Sequence, residues 1–202
     1  IIGFQLGGYI SNQRIDYLSV LSYEQQIAFD SLQLQYAYIT TLLQEKNCPT
    51  ILKAMKNNIY QLEIQRKKLE EYVNQDDLEE FQVLKHQYML AEIRYWLFSQ
   101  QTSKICKDDV TRILYFYTKY CDDCDIQGAV LDSLKQEFKD QVLIFSLDLD
   151  LDETLIHILK EAFVVSSAPS IVIENKTYTG IMNQKTLTEH ICSQLDQKPE
   201  VC

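Results

Sequence analysis

Glycine and proline are scarce in this chain, at 5 and 3 of 202 residues. That excludes a disordered chain and favours a compact, helix-rich one. Basic residues are also short: 19 Lys and Arg stand against 29 Asp and Glu, a net charge of −10. The balance argues against a nucleic-acid partner and against a polybasic membrane patch. The opening run, IIGFQLGGYI, carries no charge, but it is too short to cross a bilayer and no basic stretch precedes it as in a signal peptide. Residues 1–16 are read as the membrane-proximal end of a transmembrane anchor lying mostly upstream. An ordinary apolar helix start is the alternative.

What is present is a hydrophobic content of 46%, with 13 Tyr and 8 Phe, enough for one generous core or two small ones. The charge is uneven. Residues 1–104 carry 10 basic and 12 acidic side chains (net −2), and residues 105–202 carry 9 and 17 (net −8). The break coincides with a change of pattern, which predicts a helical stalk over 17–104 and a second domain over 105–202.

The first half is helical in rhythm. Phe29, Leu32, Tyr36, Ile39 and Leu43 are spaced at three and four, as are Leu52, Met55, Ile59, Leu62, Leu69 and Val73, interrupted only by Arg66. Phe81, Leu84, Tyr88, Ala91, Tyr95 and Phe98 repeat it. Sustained spacing of this kind predicts coiled-coil-like seams. The turns fall at NCPT (47–50), with Pro49 ending the first helix, and at NQDD (74–77), with Asp76 or Asp77 capping the third. Short turns give antiparallel neighbours, hence an up-down-up bundle of three helices. The aromatic stripe is core, and no cofactor is implied.

That topology places Cys48, in the first turn, at the same end as Cys106, just past the third helix. A disulfide between them is expected, fastening the bundle to the start of the second domain. Six cysteines and the membrane-like start favour an oxidising compartment. Cys192 and Cys202 are left as a bridge to the tail or as free thiols.

In the second half the run Ile113–Tyr117 is short, aromatic and apolar, which reads as a buried strand, and helical spacing begins near Cys124 with Ala129 or Val130, Leu134 and Phe138. Between them lies YCDDC. Cys121 falls in the strand-to-helix turn and Cys124 in the first helical turn, where free backbone N–H groups and the helix dipole stabilise a thiolate. QVLIFSLDLD comes next as a strand, then DETLIHILKEAF as a helix with Asp152 as its cap, SIVIE and KTYTGI as two strands, and NQKTLTEHICSQL as the last helix.

The order βαβαββα, the Cys121-Asp122-Asp123-Cys124 junction, Ala168-Pro169 ahead of a strand and Gly180 after the last strand resemble the thioredoxin superfamily over about residues 110–196. The expected fold is thus an antiparallel three-helix bundle followed by a thioredoxin-like α/β domain. The resemblance implies that Cys121 attacks as the thiolate and Cys124 resolves the mixed disulfide. It further implies a cis-proline at Pro169 that presents the Ala168 backbone to substrate, and a Tyr120 that shields the cysteine pair. The implied partners are protein thiols and disulfides and a redox partner protein, with no metal.

Two departures stand out. Relatives carry a buried acid in the strand beneath the cysteines, where this chain has Tyr115 between Leu114 and Phe116. Asp122 and Asp123 occupy the space between the cysteines and Asp125 follows, so nearby negative charge opposes the thiolate, with Lys119 offsetting part of it. The pair is expected to be a poor oxidant. Weaker patterns are Asp148, Asp150 and Asp152 as a solvated strand end in preference to a calcium loop, and His157 with His190 as a poor zinc set. His86 is expected on the surface, Tyr178 and Phe116 in the core, and Asn175-Lys176-Thr177 forms a glycosylation sequon in a turn. The expected function is a membrane-anchored, extracytoplasmic thiol–disulfide oxidoreductase of reductase or isomerase character. The alternative is a non-catalytic binding or scaffold module whose cysteines form a structural disulfide.

Overall fold

A computed structural model describes residues 44–71 and 79–202, with scattered positions between 23 and 42. The described positions from 23 to 44 are helical. The seam Phe29–Leu43, Val73, the 74–77 turn with Asp76 and Asp77, and the anchor at 1–16 lie outside the described residues. Among those described, no helix is long and apolar enough to cross a membrane.

Helix α1 (Cys48–Glu71) and helix α2 (Glu79–Cys106) come first. Pro49 falls in the first turn of α1, where its missing N–H costs nothing, and Asn47 Oδ1 accepts the Thr50 N–H at 3.5 Å. The Cys48–Cys106 disulfide joins the start of α1 to the end of α2, so the two helices run antiparallel. Ile51, Met55, Asn58 and Leu62 form the buried face of α1, with Leu52 and Ile59 only partly buried, a one-residue rotation from the predicted seam.

The second half contains β1 (Thr111–Tyr117), α3 (Asp122–Phe138), a 3-10 turn, β2 (Val142–Asp148), α4 (Thr154–Ala162), β3 (Ser170–Ile173), β4 (Lys176–Thr179) and α5 (Gln184–Gln194). The sheet order is β2-β1-β3-β4. Strand β1 is parallel to β2 and antiparallel to β3, and β3 is antiparallel to β4. Because side chains alternate across a strand, β1 sends Ile113 and Tyr115 to one face and Leu114 and Phe116 to the other. The first face packs on α3 and α5 through Leu131, Leu134, Leu187 and Ile191. The second packs on α1, α2 and α4 through Met55, Tyr95, Phe98 and Ile156. Both faces are covered, which is why β1 reads as an unbroken apolar run.

Helix α2 therefore differs from a stalk helix. The predicted stripe Phe81, Leu84, Tyr88, Ala91, Tyr95 and Phe98 is buried, but so are Met89, Ile93, Trp96, Ser99 and Thr102. A helix buried on two sides lies between layers, here between α1 and the sheet. A boundary at 104/105 would cut through this shared core. Charged contacts fasten the same layer: Lys85 Nζ meets Asp148 Oδ2 at 2.5 Å, and His86 Nε2 meets Glu153 Oε2 at 2.6 Å. His86 is thus a tie between α2 and the start of α4 and is only partly exposed.

Packing corrects several local expectations. The cap of α4 is Glu153, whose carboxylate accepts the Leu155 N–H, while Asp152 points to solvent near His157. Asp148 is buried, paired with Lys85, and accepts the Asp150 N–H at 2.8 Å, so the strand end is not a solvated acidic face. Asn175 lies in the exposed β3–β4 turn, and Thr177 Oγ1 donates to the Phe163 carbonyl. Tyr178 is only half-buried, its ring 5.0 Å from His190. Gly180 follows β4 at φ +86°, a backbone angle that glycine adopts without a Cβ penalty, and its N–H donates to the Pro169 carbonyl at 2.8 Å.

Candidate functional site

The site grows from the end of β1. The strand delivers the chain to Cys121, whose extended backbone makes it the N-cap of α3. Its Sγ accepts the Cys124 N–H at 3.1 Å, filling the role a Ser or Asp oxygen plays in ordinary caps. Cys121 and Cys124 are bonded to each other. Cys124 is 4% exposed and packs with Ile113, Leu131 and Ile171, whereas Cys121 lies at the rim. On reduction, a Cys121 thiolate would keep the Cys124 N–H and the positive end of α3.

Other predicted residues converge on this point in part. The Ala168–Pro169 peptide is cis, and Ala168 packs against the same cluster as Cys121 and Cys124. Asp122, Asp123 and Asp125 occupy the first turn of α3 and are exposed. Tyr120 does not shield the pair: it is 89% exposed, with the Lys119 ammonium 5.3 Å from its ring in a cation–π contact. The Lys119 backbone N–H donates to Asp150 Oδ2 at 2.8 Å. Tyr115 is buried under the pair and its hydroxyl donates to the Cys124 carbonyl at 2.6 Å. Burial, with help from the Asp125 charge, pushes its pKa up to about 12, so it stays a neutral donor. His157 contacts Asp152 and His190 lies against the Tyr178 ring, and no metal-holding cluster of His, Cys, Asp or Glu occurs among the described residues.

Cys192 and Cys202 are bonded, so all six cysteines are paired in three disulfides.

Sequence reasoning passed over one residue. Glu92 sits inside α2 with neighbours that make it look like a surface acid, yet it is buried. Tyr88 donates its hydroxyl to Glu92 Oε1, and Oε2 has no hydrogen-bond partner. Desolvation is the largest influence on this carboxyl, lifting its pKa to about 8 against the lowering effects of the Tyr88 hydrogen bond and the Arg66 charge. Glu92 lines a cavity of about 540 Å³ that runs from α1 and α2 past the edge strand β2 to Cys124 on α3. Only a four-residue offset from Tyr88 hinted at it in the sequence.

The buried carboxyl makes stability depend on pH. The folded state holds a proton on Glu92 that the unfolded chain releases between pH 4.5 and about 8. Its contribution is complete below pH 4.5 and is lost as pH rises through about 8, by up to about 1.4 kcal/mol per pH unit. Urea titrations of the oxidised protein should show that slope, and Glu92→Gln should remove it. An unchanged slope in the variant would refute the assignment.

A four-stranded mixed sheet with helices on both faces, a Cys-x-x-Cys pair capping a helix and a cis-proline beside it define a thioredoxin-class fold and site. The family model described as Thioredoxin matches residues 97–197, and the chain belongs to that family. The match begins within α2, in keeping with that helix being part of the sheet's core. Thioredoxin 2 of Plasmodium berghei is 39% identical over 64 residues, which is 32% of this chain and 39% of that protein. Thioredoxin 2 of Plasmodium falciparum is 33% identical over 66 residues, 32% of this chain and 40% of that protein. The chain thus aligns with about two fifths of each relative's length. Among solved structures, a malaria parasite thioredoxin-2, described as a component of the protein secretion machinery, has 26% identity and a TM-score of 0.36. It covers 41% of this chain and 81% of that one. Chloroplastic thioredoxin z has 22% identity and a TM-score of 0.37, covering 46% and 85%.

Proposed function

We propose that the protein is a thiol–disulfide oxidoreductase that reduces or isomerises disulfides in other proteins. The observation that carries this reading is the asymmetry of the pair. Cys121 lies at the rim with helical N–H support, while Cys124 is buried behind it. A substrate sulfur reaches the first cysteine, and the second is held where it can release the substrate. The Ala168 backbone beside them offers a strand edge for an extended substrate segment. Three disulfides fit an oxidising compartment, and the uncharged opening run adds an upstream anchor and an extracytoplasmic position to the proposal. The helical positions from 23 to 44 would complete an antiparallel three-helix layer with α1 and α2.

The test is equilibration against glutathione buffers with counting of the thiols, alongside an insulin-reduction assay. Exchange within minutes and turnover of insulin are expected. A pair that fails to exchange within hours under native conditions would instead be the structural disulfide of a binding module. The exposed acids then set the poise. Asp122 and Asp123 sit at the helix end where the thiolate forms, and like charge disfavours it. Replacing both by Asn should raise the reduction potential by a few tens of millivolts, since about 30 mV corresponds to about 1.4 kcal/mol. Equal potentials in the two proteins would show that these carboxylates do not act on the pair.

A further inference from the structure

A fully buried carboxyl with an unused oxygen is costly unless something in its surroundings employs it. The Glu92 cavity has polar groups along its length and a volume of about 540 Å³, room enough for a hydrogen-bonded chain of water. The same cavity is lined by Tyr117 and Tyr115, whose rings stack at 5.7 Å, and by Cys124. Tyr115 in turn is bonded to the Cys124 carbonyl. A buried Cys124 needs a group to take its thiol proton before it can attack, and the strand beneath it provides none.

We infer that Glu92, brought in by α2 from outside the cysteine-bearing half of the chain, accepts the Cys124 proton through this cavity. The inference rests on the disulfide-exchange reading of Cys121 and Cys124. In the step, the Cys124 S–H proton ends on the Glu92 carboxylate. The Cys124 thiolate attacks the Cys121 sulfur of the mixed disulfide. The Cys121–substrate S–S bond breaks, the Cys121–Cys124 bond forms, and the substrate sulfur leaves with the electron pair as a thiolate. The pair is oxidised and the substrate disulfide reduced, with no further reactant.

The chemistry favours Glu92 over nearer acids. Asp125 also lines the cavity but is exposed, so its carboxylate faces solvent and is not enclosed with the buried cysteine. Proton transfer is most efficient when the two groups have matched affinities, and burial has moved Glu92 toward the thiol range. The charges facing it are mixed. Glu63 and Arg66 project from α1, Lys135 and Asp132 from α3, and Lys85 and Tyr88 from α2 itself. Lys85 is held by Asp148 and Lys135 lies 3.4 Å from Glu63, while the Arg66 charge lowers the proton affinity of the carboxyl without overcoming its burial.

The experiment reduces the Cys121–Cys124 pair with one equivalent of dithiol and mixes the protein with a chromogenic aromatic disulfide. The first thiol released reports attack by Cys121, and the second reports resolution by Cys124. With Glu92→Gln, the second release is expected to slow about tenfold or more at pH 8.5, where the carboxylate is ionised, and to lose its pH inflection, while the first stays within about twofold. An unchanged second release, an equal slowing of both, or the same loss in Asp125→Asn with Glu92→Gln normal would overturn the inference. Should Glu92→Gln fail to fold, the wild-type protein still decides it. Its carboxylic-acid infrared band should grow as the mixed disulfide resolves at pH 8.5, and a constant band would overturn the inference. Absence of any first release would instead refute the exchange reading itself.

Discussion

Cys121→Ser is expected to abolish insulin reduction, a loss of about three orders of magnitude or more, because the hydroxyl that replaces the thiol does not attack a disulfide. Cys124→Ser should lose turnover as well but for a different reason. Cys121 remains at the rim with its helix-end N–H support, so it still forms the mixed disulfide, and nothing then releases it. The covalent adduct with a substrate protein should accumulate and be visible by mass and on non-reducing gels. A Cys124→Ser protein that forms no adduct while Cys121→Ser does would reverse the assignment of the two roles. Neither substitution should unfold the chain, since cysteines only three residues apart close a short loop and contribute little cross-link entropy.

The second large effect concerns Cys48 and Cys106. Their bond closes a loop across 58 residues of separation, so its removal frees the unfolded chain by about 4 kcal/mol. The melting temperature of the double Ser variant should fall by about 10 °C, with the Cys121–Cys124 pair intact. Urea unfolding should show the shift in midpoint with little change in activity at low temperature. A change of less than about 1 kcal/mol would mean that the α1–α2 pair is already held in the unfolded ensemble by other contacts.

Much of the fold was legible because its signals are local. The unbroken apolar run and aromatic density of Ile113–Tyr117, the helical spacing after Cys124 and the turn residues at Glu174–Asn175 each needed only a short window of sequence. The two-sided burial of α2 did not, because its second face uses small and polar residues. Ser99 and Thr102 are buried with Ile93 and Trp96, and no heptad count marks them as core. The α4 cap was ambiguous for a similar reason: Asp152 and Glu153 are adjacent acids, and only the chain direction decides which reaches Leu155. At the site, the cysteine spacing was explicit, whereas Tyr120 was misplaced because an aromatic beside a cysteine gives no sign of which way it turns. Glu92 was invisible, since a glutamate three residues past Met89 in a helix is indistinguishable from a solvated one until the neighbouring layer is in place.

The double role of α2 limits how this protein can be cut. A fragment beginning at residue 105 would keep every strand and both redox cysteines, yet it would strip α1 and α2 from the face carrying Leu114, Phe116, Phe145 and Leu147 and leave only α4 over it. Such a surface seeks another copy of itself, so the shortened chain should be recovered as aggregate, and proteases that trim loops should leave α1 and α2 attached to the sheet. The smallest piece expected to stand alone begins upstream of Cys48, 73 residues ahead of Cys121 in a chain of 202.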